Sequence, residues 1–338
     1  MALSDTQNAI TDVPGLTVGH AHDERLMSGV TVILGDSPLV AAVDGRGGGI
    51  GTREVDALNL QGTVEEVHGL VLSGGSAFGL DAATGVQAFL RERGIGFAVR
   101  EARVPIVPGA ILFDLLNGGD KDWGRTPPYA GLAYEAARRA SQHCAIGSVG
   151  AGFGATTVNL RGGLGSASEV LADRTVIGAL AAVNPAGAVT VGDGPAFWAR
   201  AFERDGEFGN HAVPGNITPA DLKPLLKGDP GESTVLAVVA TSASLTRPQA
   251  MRMAIMAQTG LARAIYPVHT PLDGDVVFAL STRAAPAPDS VASLARIGSV
   301  AANVLARAVA RGVHAAAPVP AGWTGPPAWI ERFGDTGK

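Results

Sequence analysis

Two stretches of this chain combine residue types that could do chemistry at the end of a strand. In Gly231-Glu232-Ser233-Thr234-Val235-Leu236-Ala237-Val238-Val239-Ala240-Thr241, two adjacent hydroxyls stand at the mouth of a strongly β-prone run, just after a polar connection. A hydroxyl placed there is either a solvated or capping group or, given a base, a nucleophile. In His269-Thr270-Pro271-Leu272-Asp273-Gly274-Asp275, two carboxylates two apart fall in a turn before another apolar run. Alone this is a turn signal. Beside a threonine on a neighbouring strand, the carboxylates could orient an amine or hold a hydrogen-bond network.

Other motifs are weaker. Ser73-Gly74-Gly75-Ser76-Ala77-Phe78-Gly79-Leu80-Asp81 follows a short apolar strand and opens a helix. Its backbone N–H groups could hold an anion or a polarised carbonyl, or Ser73 or Ser76 could simply cap the helix. The glycine-rich run Asp44 to Gly51 lacks the third glycine of a dinucleotide-binding turn and reads as a place where backbones approach closely. The histidines form no metal-ligand pair, and His20 with His22 has no recognised spacing, so neither a metal nor a cofactor is expected. The single cysteine, Cys144, precludes an internal disulfide and reads as an inert packed thiol.

The elements that must position these residues alternate along the chain. Runs rich in Val, Ile and Leu predict strands over Gly29–Leu34, Leu39–Val43, Leu70–Leu72, Phe97–Val99, Ile177–Val183, Ala188–Val191, Val235–Ala240 and Val276–Ala279. Helical spacing marks Gly75–Arg93, Pro128–Arg139, Arg247–Ala264 and Ser290–Arg311. Most of the strands are apolar on both faces, which calls for sheets covered on both sides by Ala-rich helices or a second sheet. Prolines and glycines punctuate Asn210 to Glu232, an exposed connection leading into the strand that starts near Thr234, and the tail Ala315 to Lys338 reads as a surface-packed extension.

Composition narrows the function classes. Hydrophobic residues make up 46% of the 338 residues and charged residues 17%, a globular balance. The net charge of −5, without any basic block, removes the electrostatic footprint of a nucleic-acid binder. A polar N-terminus and the lack of a long uninterrupted apolar run argue against a signal peptide and a membrane partner, so a cytoplasmic location is expected.

The Gly231–Thr241 and Pro267–Asp275 stretches together resemble the L-aminopeptidase/D-amidase-esterase family, which includes β-peptidyl aminopeptidases and the nylon-oligomer hydrolase. Further matches keep the family's order: Thr11–His20, Leu72–Leu80, Val104–Pro108, Gly150-Ala151-Gly152, Gly162–Ser168 and Val183-Asn184-Pro185. The resemblance implies an α+β fold, a four-layer αββα sandwich spanning residues 1–338, made as one precursor and self-cleaved into residues 1–233 and 234–338. It implies that Thr234 is the nucleophile released by a cut after Ser233, that Asn184 donates to an oxyanion, and that Asp273 and Asp275 sit beside the nucleophile and its free amine. It further implies a homotetramer or another even assembly, with short peptides, amides or esters bearing a free amine as substrates.

Three positions depart from the family pattern. Ser233 replaces a common Asn before the nucleophile, Asn159 stands where some members have Lys, and Phe113 stands where some have an aromatic hydroxyl. Phe113 would therefore line the substrate pocket without donating a hydrogen bond, leaving oxyanion binding to Asn184 and to N–H groups such as those of the Ser73–Ser76 loop. Two other readings stay open: an acyltransferase like ornithine acetyltransferase, and an unprocessed scaffold in which Ser233 has disabled the cut.

Overall fold

The computed structural model describes residues 6–227 and 232–334, so Gly231 and Pro230 of the connection and both chain ends lie outside it. Its centre is a large mixed sheet of nine strands. Strands β1 (Leu16–Asp23), β2 (Ser28–Gly45), β3 (Thr52–Arg53) and β4 (Glu66–Ser73) come first, and β5 (Phe97–Val99) and β6 (Ala102–Val104) form a separate hairpin. The sheet continues with β7 (Gly109–Ile111), β8 (Gly163–Val170), β9 (Val176–Asn184), β10 (Thr234–Ala243) and β11 (Val276–Ala285). The strand order is β3-β7-β4-β2-β11-β10-β9-β8, with β1 also paired to β2. The helices are α1 (Ala82–Glu92), α2 (Tyr129–Arg138), α3 (Arg247–Ala264), α4 (Val291–His314) and the short α5 (Trp329–Phe333).

Three hydrophobic cores separate the parts. Val30, Val32 and Val71 pack with Val86, Phe89 and Ala133 of α1 and α2. Ile33, Leu70 and Leu72 face Leu180, Leu236, Val238 and Phe278, so one half of the sheet lies on the other. Ala181, Val235, Ala237 and Val277 face Ala254, Leu261, Val304 and Ala308 of α3 and α4. Strands buried on both faces explain the continuous apolar runs in the sequence.

Four expectations change. Gly29–Leu34 and Leu39–Val43 are one strand, because the intervening Gly35-Asp36-Ser37-Pro38 is absorbed as a register shift against β4 rather than a turn. Ala188–Val191 is no ladder strand; it makes only single bridges, Ala188 to Tyr266 and Thr190 to Phe197. The segment Gly75–Arg93 begins as a 3-10 helix over Ser76–Asp81, capped by neither serine side chain, before α1. The tail is partly buried, with Trp329 inserted into the α3–α4 core. No helix among the described residues is long and apolar enough to cross a membrane.

Candidate active site

Strand parity decides where Thr234 points. In β10, Leu236, Val238 and Ala240 enter the core between the sheet halves, whereas Val235, Ala237 and Val239 face α3 and α4. Thr234 shares the parity of the first set, and so does Asn184, its direct partner across the antiparallel β9–β10 pair. The two side chains therefore meet on one face at the mouth of the inter-sheet core.

The Ser233–Thr234 peptide is buried, with Ser233 0% and Thr234 3% exposed. The Thr234 hydroxyl donates to the Ser233 carbonyl oxygen at 2.5 Å, and the Gly274 N–H donates to the same oxygen at 2.8 Å. Gly274 has no room for a side chain: a Cβ there would lie 2.6 Å from both Thr234 Oγ1 and the Gly49 carbonyl oxygen. The glycine-rich run presses on this turn, since a Cβ on Gly47 would come within 2.4 Å of the Asp273 oxygen and the Asp275 nitrogen, and Gly49 N–H donates to the Asp273 carbonyl at 2.8 Å. Close backbone approach is thus what those glycines provide.

Asp273 and Asp275 follow Thr270 and His269 on the β11 side of the same strand mouth, and both are fully buried. Asp273 accepts the Ala186 N–H at 2.9 Å, the Thr270 N–H at 2.9 Å and the Thr270 hydroxyl at 2.7 Å. Asp275 accepts the Val235 N–H at 2.8 Å and the His269 N–H at 3.2 Å, and pairs with His269 Nδ1 at 2.9 Å. Burial pushes the Asp275 carboxyl above its ordinary range, opposed by the bond to His269. Asp275 thus braces the backbone next to Thr234 through Val235, while Asp273 braces the turn at Thr270 and the chain beyond Asn184 through Ala186. Buried and engaged at both oxygens, they have no surface to offer a substrate amine in the uncut chain.

Asn184 is held at both ends of its amide. Oδ1 accepts the Thr156 N–H at 2.9 Å and Lys227 Nζ at 3.0 Å, while Nδ2 donates to the carbonyl oxygens of Phe113 at 3.1 Å and Glu232 at 3.2 Å. Phe113 therefore meets the site through its backbone. The Ser73–Ser76 loop does not supply free donors, because the N–H groups of Gly74, Gly75 and Ser76 bond to Gly29 O, Asp114 Oδ1 and Leu112 O. The hydroxyl of Ser73 turns to the Gly74 carbonyl. Asn159 stays apart from Thr234, its Oδ1 accepting the Thr157 hydroxyl at 3.2 Å.

Lys227 is the site residue that sequence reasoning missed. The residue is half-buried, and its ammonium is enclosed by the Thr156 carbonyl at 2.8 Å, the Thr156 hydroxyl at 3.0 Å and the Asn184 amide oxygen. Burial lowers its pKa to about 7, against the pull of Asp273 and Glu232. The folded chain thus holds this proton less tightly than the unfolded chain, so this contribution to stability grows as pH rises from about 7 toward the ordinary lysine value of 10.5 and is lost as pH falls back. Urea unfolding of the uncut chain between pH 7 and 9.5 should show that rise, and Lys227→Met should flatten it.

Three other residues serve packing. Burial pushes the Cys144 thiol up to about 11. His20 is lowered by burial to about 4 and sits 3.1 Å from the Thr31 hydroxyl, and His22 stacks on Phe153 at 4.4 Å between centroids.

Comparison with known proteins gives the family: the sequence profile of Peptidase family S58 matches residues 8–324. The chain belongs to peptidase family S58. An uncharacterised aminopeptidase of Mycobacterium tuberculosis is 41% identical over 333 residues, covering 92% of this chain and 95% of that protein. A 6-aminohexanoate-oligomer endohydrolase of an Agromyces species is 28% identical over 282 residues, covering 80% of this chain and 74% of its own. The L-aminopeptidase D-Ala-esterase/amidase of Ochrobactrum anthropi, described as a variant of the Ntn hydrolase fold, superposes with a TM-score of 0.67 at 22% identity, over 93% of this chain and 88% of the other. That last likeness shows a shared fold. As an S58 member, the chain is an enzyme of the peptidase class.

Proposed function

We propose that this S58 chain cuts itself between Ser233 and Thr234 and then works as an N-terminal-threonine aminopeptidase or amidase. Its substrates would be short peptides, amides or esters with a free amine. One observation carries the reading: a hydroxyl and a backbone N–H converge on the carbonyl oxygen of a buried Ser233–Thr234 peptide. In the cut, a bond forms from Thr234 Oγ1 to the Ser233 carbonyl carbon, the bond to the Thr234 nitrogen breaks, and the hydroxyl proton ends on that nitrogen. Water then hydrolyses the ester, leaving a Ser233 carboxylate and restoring the Thr234 hydroxyl. The Gly274 N–H is aimed at the oxygen where negative charge develops, the placement that lowers such barriers.

Once free, the Thr234 amine, with an ordinary pKa of about 7.7 to 8.0, is partly neutral near pH 7 and can take the hydroxyl proton during attack on a substrate carbonyl. Loss of Glu232 from its place would free one Asn184 N–H for the new oxyanion. The three stacked cores support the four-layer αββα order that this chemistry uses in the resembling family. Intact-mass spectrometry of purified protein is the test. Fragments of residues 1–233 and 234–338 are expected, and a chain that stays whole while hydrolysing an amide would refute the reading.

A further inference from the structure

Asn184 has two chemically opposite ends of nearly equal shape, and only its neighbours decide which end faces the strand mouth. On one side stand two donors, the Thr156 N–H and the Lys227 ammonium. On the other stand two acceptors, the carbonyl oxygens of Phe113 and Glu232. The Thr156 hydroxyl lies at 3.5 Å from Oδ1, so Lys227 is the second strong donor there. It is held in place twice over: its backbone N–H donates to the Ala186 carbonyl at 2.9 Å, just beyond the end of β9, and its ammonium also binds the Thr156 carbonyl. Asn184, Thr156 and Lys227 all precede Ser233, so a cut before Thr234 leaves them on one chain.

Resting on the reading that Thr234 is the nucleophile, we propose that Lys227 is a positioning residue for Asn184. By donating to Oδ1 it fixes the amide with Nδ2 toward the acyl side of the Ser233–Thr234 bond. A flipped amide would set its NH2 group against the ammonium and the Thr156 N–H, and its oxygen against two carbonyls. Every contact of the observed orientation would become repulsive. The carboxylates of Asp273 and Glu232 are the charged groups that stabilise the ammonium form. A solvated lysine on the connection has no such constraint, and enclosure of this one is what separates the two readings.

The test uses the full chain with Lys227→Met and Lys227→Arg, each with and without Asn184→Ala. Lys227→Met is expected to slow appearance of the 234–338 fragment about 10- to 100-fold, below the loss typical of removing an oxyanion donor itself. Lys227→Arg should restore part of the rate, because a guanidinium can still donate to Oδ1. In the Asn184→Ala background, Lys227→Met should slow the cut no further, whereas a merely structural effect would add. Separately, in uncut Thr234→Ala chain, the Asn184 side-chain amide resonances should shift and lose protection from exchange when Lys227 becomes Met. Unchanged Asn184 resonances, or additive slowing, would overturn the positioning role. Shifted resonances in Thr234→Ala, combined with an unsubstituted chain that never cuts, would keep the positioning role and remove self-cleavage instead.

Discussion

Thr234→Ala is expected to leave one uncut chain and to reduce amide hydrolysis by at least about 10⁴-fold, the scale seen when a covalent nucleophile is removed from an otherwise intact site. The folded state should survive, because among the described residues the hydroxyl bonds to the carbonyl of its own preceding residue, a loss of about 1 kcal/mol. Thr234→Ser keeps an oxygen in the same place and should retain cutting. Intact mass and turnover of a simple amino-acid amide check both variants. Substantial turnover by Thr234→Ala would remove this residue from the mechanism.

Gly274→Ala carries the second large effect. The added methyl carbon would stand 2.6 Å from Thr234 Oγ1, well inside contact distance, and 2.6 Å from the Gly49 carbonyl oxygen. One neighbour is backbone, so the hydroxyl or the turn itself must move. Displacing the turn shifts the N–H now aimed at Ser233 O, and losing one such donor typically costs about 10² to 10³ in rate. The cut should therefore slow by at least about 10²-fold, with about 1–3 kcal/mol of lost stability from overpacking. Time courses of fragment formation and urea midpoints measure the two separately. Cutting at the unmodified rate would show that Gly274 is not part of the reacting geometry.

How much of this was legible in the sequence varies with the kind of signal. Helix α3 spans Arg247–Ala264 as expected, because Thr246 and Gln249 form a reciprocal cap and Pro248 fits the first turn. Strands β10 and β11 announce themselves by β-branched runs. Strands β1 and β8 escaped, since Leu16–Asp23 mixes polar and apolar residues and Gly163–Val170 is largely Gly, Ser and Ala. In β8 small residues are needed for a different reason: a Cβ on Gly165 would fall 1.8 Å from the Ala308 carbonyl oxygen of α4. Thr234, Asn184, Asp273 and Asp275 are the candidates that the resemblance implies, and the structure brings them to one strand mouth. Gly274 was visible only as a turn residue, and its N–H becomes meaningful only once the Ser233 carbonyl is seen beside it. Lys227 carried no signal, because its partners Thr156 and Asn184 lie 71 and 43 residues away and a lysine in a polar connection looks solvated.

The strand order has a mechanical consequence. Strands β10 and β11 sit side by side with β9 on one flank and β2 on the other. If the backbone opens before Thr234, the downstream piece is therefore interleaved between strands of the upstream piece rather than resting on its edge. Pulling the pieces apart would mean unzipping two hydrogen-bonded ladders and emptying two cores at once. Breaking the covalent link should leave a nicked body as durable as the continuous one, its new terminus still clasped at the bottom of the fold.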